Sequence, residues 1–243
     1  MHLMLRVIVG AVLAIIALHA IFALILAFPG AAFRFSYAEA GIVLHADRSQ
    51  NDYAARAFLR DVATALDQSP LGPPERDLHL YSSGGLRAKL FFAPVSPAGG
   101  TVYVPLSARH AFLRRLDLKG NRLIKGDVII DPPRTAQYYA VHELSHLRVA
   151  EIVGPIRFHT MPAWVREGLP DFIALGAPGA AEAAKILAWD GPPVPLMIDH
   201  GSYPLFRVLV DFAVNRLGWD MAQLLATDLD AGAMRDLMRK GGG

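Results

Sequence analysis

His142-Glu143-Leu144-Ser145-His146 sets the frame for the rest of this chain. It lies in a run of helical character that begins near Thr135. Residues four apart share a helix face, so the imidazoles of His142 and His146 can converge on one ion. Glu143 stands beside them, where its carboxylate can touch a water on that ion. An ion doing hydrolytic work wants three protein ligands and one open position, and zinc suits nitrogen and oxygen donors. Downstream, Trp164-Val165-Arg166-Glu167-Gly168-Leu169-Pro170-Asp171-Phe172 supplies Glu167 as the third ligand. Asp171 follows one helical turn later. A ligating histidine usually gives its second ring N–H to a carboxylate, and Asp171 is a candidate to accept it from His142. The competing reading is a surface helix with two histidines, a carboxylate and no metal, and a plain surface aspartate at 171.

Upstream of this segment the pattern is of short strands: Ile42–Ala46, then about 77–82, 88–93, 101–105 and 127–131, separated by Gly-rich turns. One helix interrupts them, from Asp52 to Leu66. Ala55, Phe58, Leu59, Val62 and Leu66 share one of its faces, and Asn51 or Ser49 serves as N-cap. Ser69-Pro70-Leu71-Gly72-Pro73-Pro74 breaks the chain. From Thr135 onward helices dominate. The histidine helix is expected to stop at Gly154, with Pro155 behind it, and Thr160 and Pro162 mark the start of the helix bearing Glu167. Strands first and helices later imply an α+β domain.

At the N-terminus, Val7 to Phe28 is almost wholly apolar, with His19 the one interruption. Its length matches the ~30 Å hydrocarbon core at ~1.5 Å rise per residue. The expected organisation is a cytoplasmic N-terminus (1–6), a transmembrane anchor (7–28), a juxtamembrane linker (29–41) and the folded domain (42–243). Arg6 favours the N-terminus inside and the domain outside the cytoplasm, whether periplasmic or extracellular. The alternative is a signal peptide cut near Pro29-Gly30-Ala31-Ala32, which would release the domain. The chain has no cysteine, which excludes disulfides and a thiolate metal site. A net charge of +2 and the lack of a nucleic-acid motif argue against a nucleic-acid partner.

HELSH followed by WVREGL resembles the gluzincin metallopeptidases, and among them the MA-like peptidase families. The resemblance covers about 135–175, with a weaker echo at 203–225. It implies a zincin-like domain of a small mixed sheet followed by a helical part. It also implies zinc held by His142, His146 and Glu167, with Glu143 as general base. The expected activity is hydrolysis of a peptide or protein substrate. Members often carry a tyrosine followed by a helix, which nominates Tyr203 to stabilise the oxyanion; His159 and His200 are the runners-up. In these families a substrate pairs along the strand that lines the cleft, which implies Val128–Ile130 or the 101–105 strand as that edge. Pro170 departs from the family pattern, and a kink there would shift Asp171. Tyr138 and Tyr139 are expected to pack the helix against the sheet, and Trp164 to pack beneath the metal.

Two other readings have different consequences. An intramembrane protease would need the motif inside an apolar span, yet Arg134, Gln137, Arg148, Glu151 and Arg157 flank it. A non-catalytic binding protein of peptidase fold at the membrane surface would show no zinc-dependent turnover.

Overall fold

The computed structural model describes residues 2–92, 99–104, 109–130, 134–188 and 202–241. It begins with α1 (His2–Ala27), of which Arg6–Ala27 is long and apolar enough to cross a membrane. Most of its side chains are exposed. Its last turns differ: Phe22 and Ile25 are partly covered, and Leu26 is fully buried against the domain.

The domain is mixed α+β. Among the described residues, seven strands form one sheet: β1 (Phe35–Glu39), β2 (Ile42–Ala46), β3 (Leu78–Ser83), β4 (Gly100–Val102), β5 (His110–Asp117), β6 (Arg122–Lys125) and β7 (Val128–Ile130). Their order is β1-β2-β3-β5-β6-β7, with β4 beside β5. β2, β3 and β5 are mutually parallel, and the remaining pairs are antiparallel. β1 and β2 form a hairpin whose turn residues Ala40 and Gly41 both have positive φ, 48° and 74°. Such turns match the right-handed twist of the strands they join. Part of the segment expected as a linker is therefore the edge strand of the sheet.

Alternation along the strands gives the sheet two different faces. Leu44, Leu80 and Leu113 point into the main core with α2 (Asp52–Asp67) and α4 (Ala136–Thr160). Asn51 caps α2, its side chain accepting from the Ala54 N–H. The opposite face carries Tyr81 and Phe112, which pack with α3 (Gly85–Phe92) and with Leu26 of α1.

Two expectations fail here. Residues 88–93 were expected as a strand, but Gly85–Phe92 is a helix. Leu-Arg-Ala-Lys-Leu are all good helix formers, and Ala88, Phe91 and Phe92 make one buried side. The longest strand, β5, was not expected at all. Arg114 and Arg115 interrupt its apolar run, yet Arg114 is buried, its guanidinium 3.9 Å from the centre of the Phe92 ring.

α4 carries the histidine pair. Thr135 caps it, accepting from the Tyr138 N–H. Every residue from Tyr138 to Ala150 is buried, so α4 runs through the middle of the domain. The expected stop at Gly154 is a sharp kink: Gly154 has φ 78° and ψ 161°, and Pro155–Thr160 continue as a second helical piece. α5 (Ala163–Leu175) follows, then α6 (Ala180–Leu187) and α7 (Tyr203–Asp211). A π-helical turn (Phe212–Arg216) leads from α7 to α8 (Met221–Ala226) and α9 (Ala231–Gly241). Pro170 does not break α5. It is buried, and the helix carries on past it to Leu175.

Candidate metal centre

The i, i+4 spacing on α4 brings the two imidazoles together: Nε2 of His142 lies 3.1 Å from Nε2 of His146. α5 crosses the same face and delivers Glu167. Its Oε2 is 3.3 Å from His146 Nε2 and 3.9 Å from His142 Nε2. Donors bonded at ~2.0–2.1 Å to a tetrahedral ion sit roughly 3.3 Å from one another. The three observed separations bracket that value. The His142, His146 and Glu167 group could therefore hold a metal ion.

The orientation of these donors is fixed from outside. His142 Nδ1 is 3.0 Å from Asp171 Oδ1. With the Nδ1–H donating a hydrogen bond to the Asp171 carboxylate, Nε2 presents its lone pair to the site. Asp171 is in turn held by the Tyr138 hydroxyl, which donates to Oδ1, and by Arg134, whose Nη2 is 3.3 Å from Oδ2. Burial alone would raise the Asp171 carboxyl. The hydrogen bond and charge of His142, together with Arg134 and Tyr138, outweigh it and hold the group below the usual carboxylate range. Arg166 donates through Nε to Glu167 Oε1 at 3.1 Å, leaving Oε2 for the histidines. Burial of Glu167 is likewise outweighed, chiefly by His146 and then by His142 and Arg166, so that carboxylate stays ionised well below its ordinary range. His146 Nδ1 is buried and has no hydrogen-bond partner among the described residues.

Glu143 is buried at the same place, and burial pushes its carboxyl up against the opposing pull of His142 and His146. β4 passes directly over it. A methyl group built at Gly100 would stand 2.6–2.9 Å from the Glu143 side chain, so only glycine lets the strand come this close. Gly99 has the same relation to the Tyr139 ring. Tyr139 thus packs the helix against the sheet as expected. Tyr138 is buried in the same core, edge-on to Tyr139, and its hydroxyl joins the Asp171 network.

Tyr203 opens α7, and its ring stacks on that of His142 with centroids 5.6 Å apart. Its hydroxyl is hydrogen-bonded to Glu167. Burial, then the charge and hydrogen bond of Glu167, push the phenol far above its ordinary value, so it is a neutral donor. Gly168 makes this placement possible. A Cβ there would lie 2.6 Å from the Phe206 carbonyl oxygen, so α7 rests directly on α5.

His159 is engaged elsewhere, its Nε2 2.6 Å from the Val104 carbonyl oxygen. His200 lies outside the described residues, as does the end of the expected 101–105 strand. Trp164 is fully buried, its Nε1 donating to the Leu229 carbonyl. His45, His79 and His110 come from three neighbouring strands, and the sheet brings them side by side on its outer face. His45 Nε2 is 3.1 Å from His79 Nδ1, and His79 meets His110 edge-on. Burial, then the neighbouring His79 and His110, lower the His45 pKa to about 4, so it is neutral at physiological pH. Arg134 and Tyr138 were missed as supports because each acts through a contact with Asp171 on α5, and Arg166 because its bond to the adjacent Glu167 leaves no periodic pattern.

Comparison of the chain with protein-family models and with curated proteins finds no match.

Proposed function

We propose that this protein is a membrane-anchored, zinc-dependent metallopeptidase with a zincin-like domain, its N-terminus inside and the domain outside the cytoplasm. One observation carries the reading. Two buried histidines from one helix and a glutamate from the next meet at the spacing a tetrahedral ion needs, with a further glutamate beside them. A surface helix decorated by chance would not bury these groups and surround them with Asp171, Tyr138, Arg134 and Arg166.

His142, His146 and Glu167 would hold the zinc. When bound, zinc acidifies a water molecule and polarises a carbonyl oxygen. Glu143 receives the proton of the attacking water and returns it to the leaving amine. Asp171 holds the His142 ring in one tautomer. Tyr203, a neutral donor stacked on His142, would turn its hydroxyl from Glu167 to the developing oxyanion, a hydrogen bond typically worth about 3–4 kcal/mol. β4 favours a peptide substrate. Beyond β5 it has no partner strand among the described residues, so an extended chain can pair along its free edge beside Glu143. β7 is also an edge strand, but no described contact joins it to the site.

The test is Glu143→Gln in the full chain. The variant is expected to keep its metal and to lose nearly all zinc-dependent peptide hydrolysis. Undiminished hydrolysis by Glu143→Gln would overturn the assignment of the base. A metal-loaded wild type that cleaves no peptide would favour a binding protein of the same fold.

A further inference from the structure

The apolar N-terminal helix and the candidate site meet on the same short strand. Gly100, at the start of β4, lies against Glu143 on the inner face of the sheet. Tyr103, three residues on, packs edge-on against Phe22 of α1 with ring centroids 6.4 Å apart. Consecutive Cα atoms are ~3.8 Å apart, so Tyr103 lies no more than roughly 11 Å from Gly100. With the side chains at either end added, Glu143 is within about 25 Å of Phe22. Phe22 belongs to the membrane-crossing stretch, five residues before its end at Ala27.

The contact is built in. Leu26 is fully buried among Tyr81, Phe91 and Phe112, and its carbonyl oxygen is 3.3 Å from His110 Nδ1. Phe33 stacks on Phe91, fixing the exit of α1 against α3. Phe28 at this exit is exposed, and on α3 Leu86 and Leu90 line a groove with Arg48, Arg87, Lys89 and Asp47, an apolar surface with a mainly basic fringe. Phe28 is 75% exposed, Leu86 83% and Leu90 39%, while Lys89 and Arg34 are exposed beside them in sequence. Apolar side chains can enter the bilayer edge while lysine and arginine beside them snorkel to the headgroups.

We infer that the domain is seated on the bilayer through α3 and the β4–Tyr103 segment, and that its substrate is the membrane-proximal segment of another membrane-anchored polypeptide. This rests on the peptidase reading. A peptide lying along the free edge of β4 has one end at Glu143 and the other at the residues that touch the span. A chain leaving the same bilayer reaches the site in about eight extended residues at ~3.3 Å each. Sharing a membrane also raises the effective concentration of an anchored substrate over a free one without any new contact.

The experiment uses the full chain, loaded with zinc, in liposomes of mixed neutral and anionic phospholipid. A randomised peptide library is presented behind a membrane-spanning helix, and the same library is presented free. The expected result is cleavage of anchored peptides at least tenfold faster, with cuts within about eight residues of the bilayer. Equal rates on both, with Glu143→Gln inactive on both, would overturn the substrate inference and leave the peptidase reading standing. Cleavage of neither would overturn both. A second measurement reads the seat without activity. The chain has no cysteine, so Leu86→Cys, Leu90→Cys and Asp61→Cys each take a single spin label. Labels at 86 and 90 are expected to be shielded from a water-soluble relaxation agent, and the label at 61, on the opposite face of the sheet, exposed to it. Equal exposure at all three would overturn the seating.

Discussion

At the residue scale, the proposed centre depends on side chains that never touch the ion. His142 points its Nε2 correctly because Asp171 accepts a hydrogen bond from its Nδ1–H, and Asp171 stays put because Tyr138 and Arg134 hold it. Removing such supports typically weakens metal binding 10–100-fold. Asp171→Asn is therefore expected to weaken zinc affinity by that factor, read by competition with a chromophoric chelator. Tyr138→Phe is expected to weaken it less, because His142 and Arg134 still hold the carboxylate. Unchanged affinity in Asp171→Asn would remove Asp171 from the account. The sequence made four of these residues readable: His142, Glu143 and His146 through their spacing, and Glu167 through its neighbours. The spacing of Asp171 from Glu167 suggested its role, but Pro170 argued against its position. The structure resolves that conflict, since α5 simply continues through the proline. Arg134 and Tyr138 were illegible because their meaning lies in contact with another helix, which no local pattern encodes.

At the element scale, the site is a product of three close approaches. α4 is buried from Tyr138 to Ala150, the start of β4 and the residue before it cross α4 at Gly100 and Gly99, and α7 lies on α5 at Gly168. Gly168→Ala places a methyl group 2.6 Å from a backbone carbonyl that cannot swing aside. Overpacking of this kind costs about 1–3 kcal/mol. The expected outcome is a lower unfolding temperature, with the metal retained and turnover reduced because Tyr203 moves with α7. Wild-type stability and turnover in Gly168→Ala would show that the α5–α7 contact is not needed. α2 was legible from its apolar periodicity and a cap at Asn51 or Ser49, and the structure chooses Asn51; α4 was legible from the histidine spacing and the helical run after Thr135, which the structure shows to be its cap. The sheet was harder. β5 hides two arginines in its centre, and α3 holds too few residues to show a helical period. The strand alternation that separates the two faces emerges only once parallel neighbours fix the register.

At the scale of the whole molecule, the apolar N-terminal helix is not separate from the domain. Its last turn is part of the fold, with Leu26 filling a cluster made by Tyr81, Ala88, Phe91, Phe92 and Phe112. Cutting the chain near Ala31–Ala32 would leave that apolar cluster uncovered, an arrangement that invites aggregation. Experiments on the site accordingly belong to the full chain in detergent or bilayer. The account stands or falls on whether the three donors bind metal. The direct measurement is zinc per chain in the purified full-length protein, alongside His146→Ala and Glu167→Ala. The account predicts one zinc per chain in the wild type, lost or greatly weakened in both variants. A folded wild type that takes up no zinc, or variants that keep it undiminished, would contradict it.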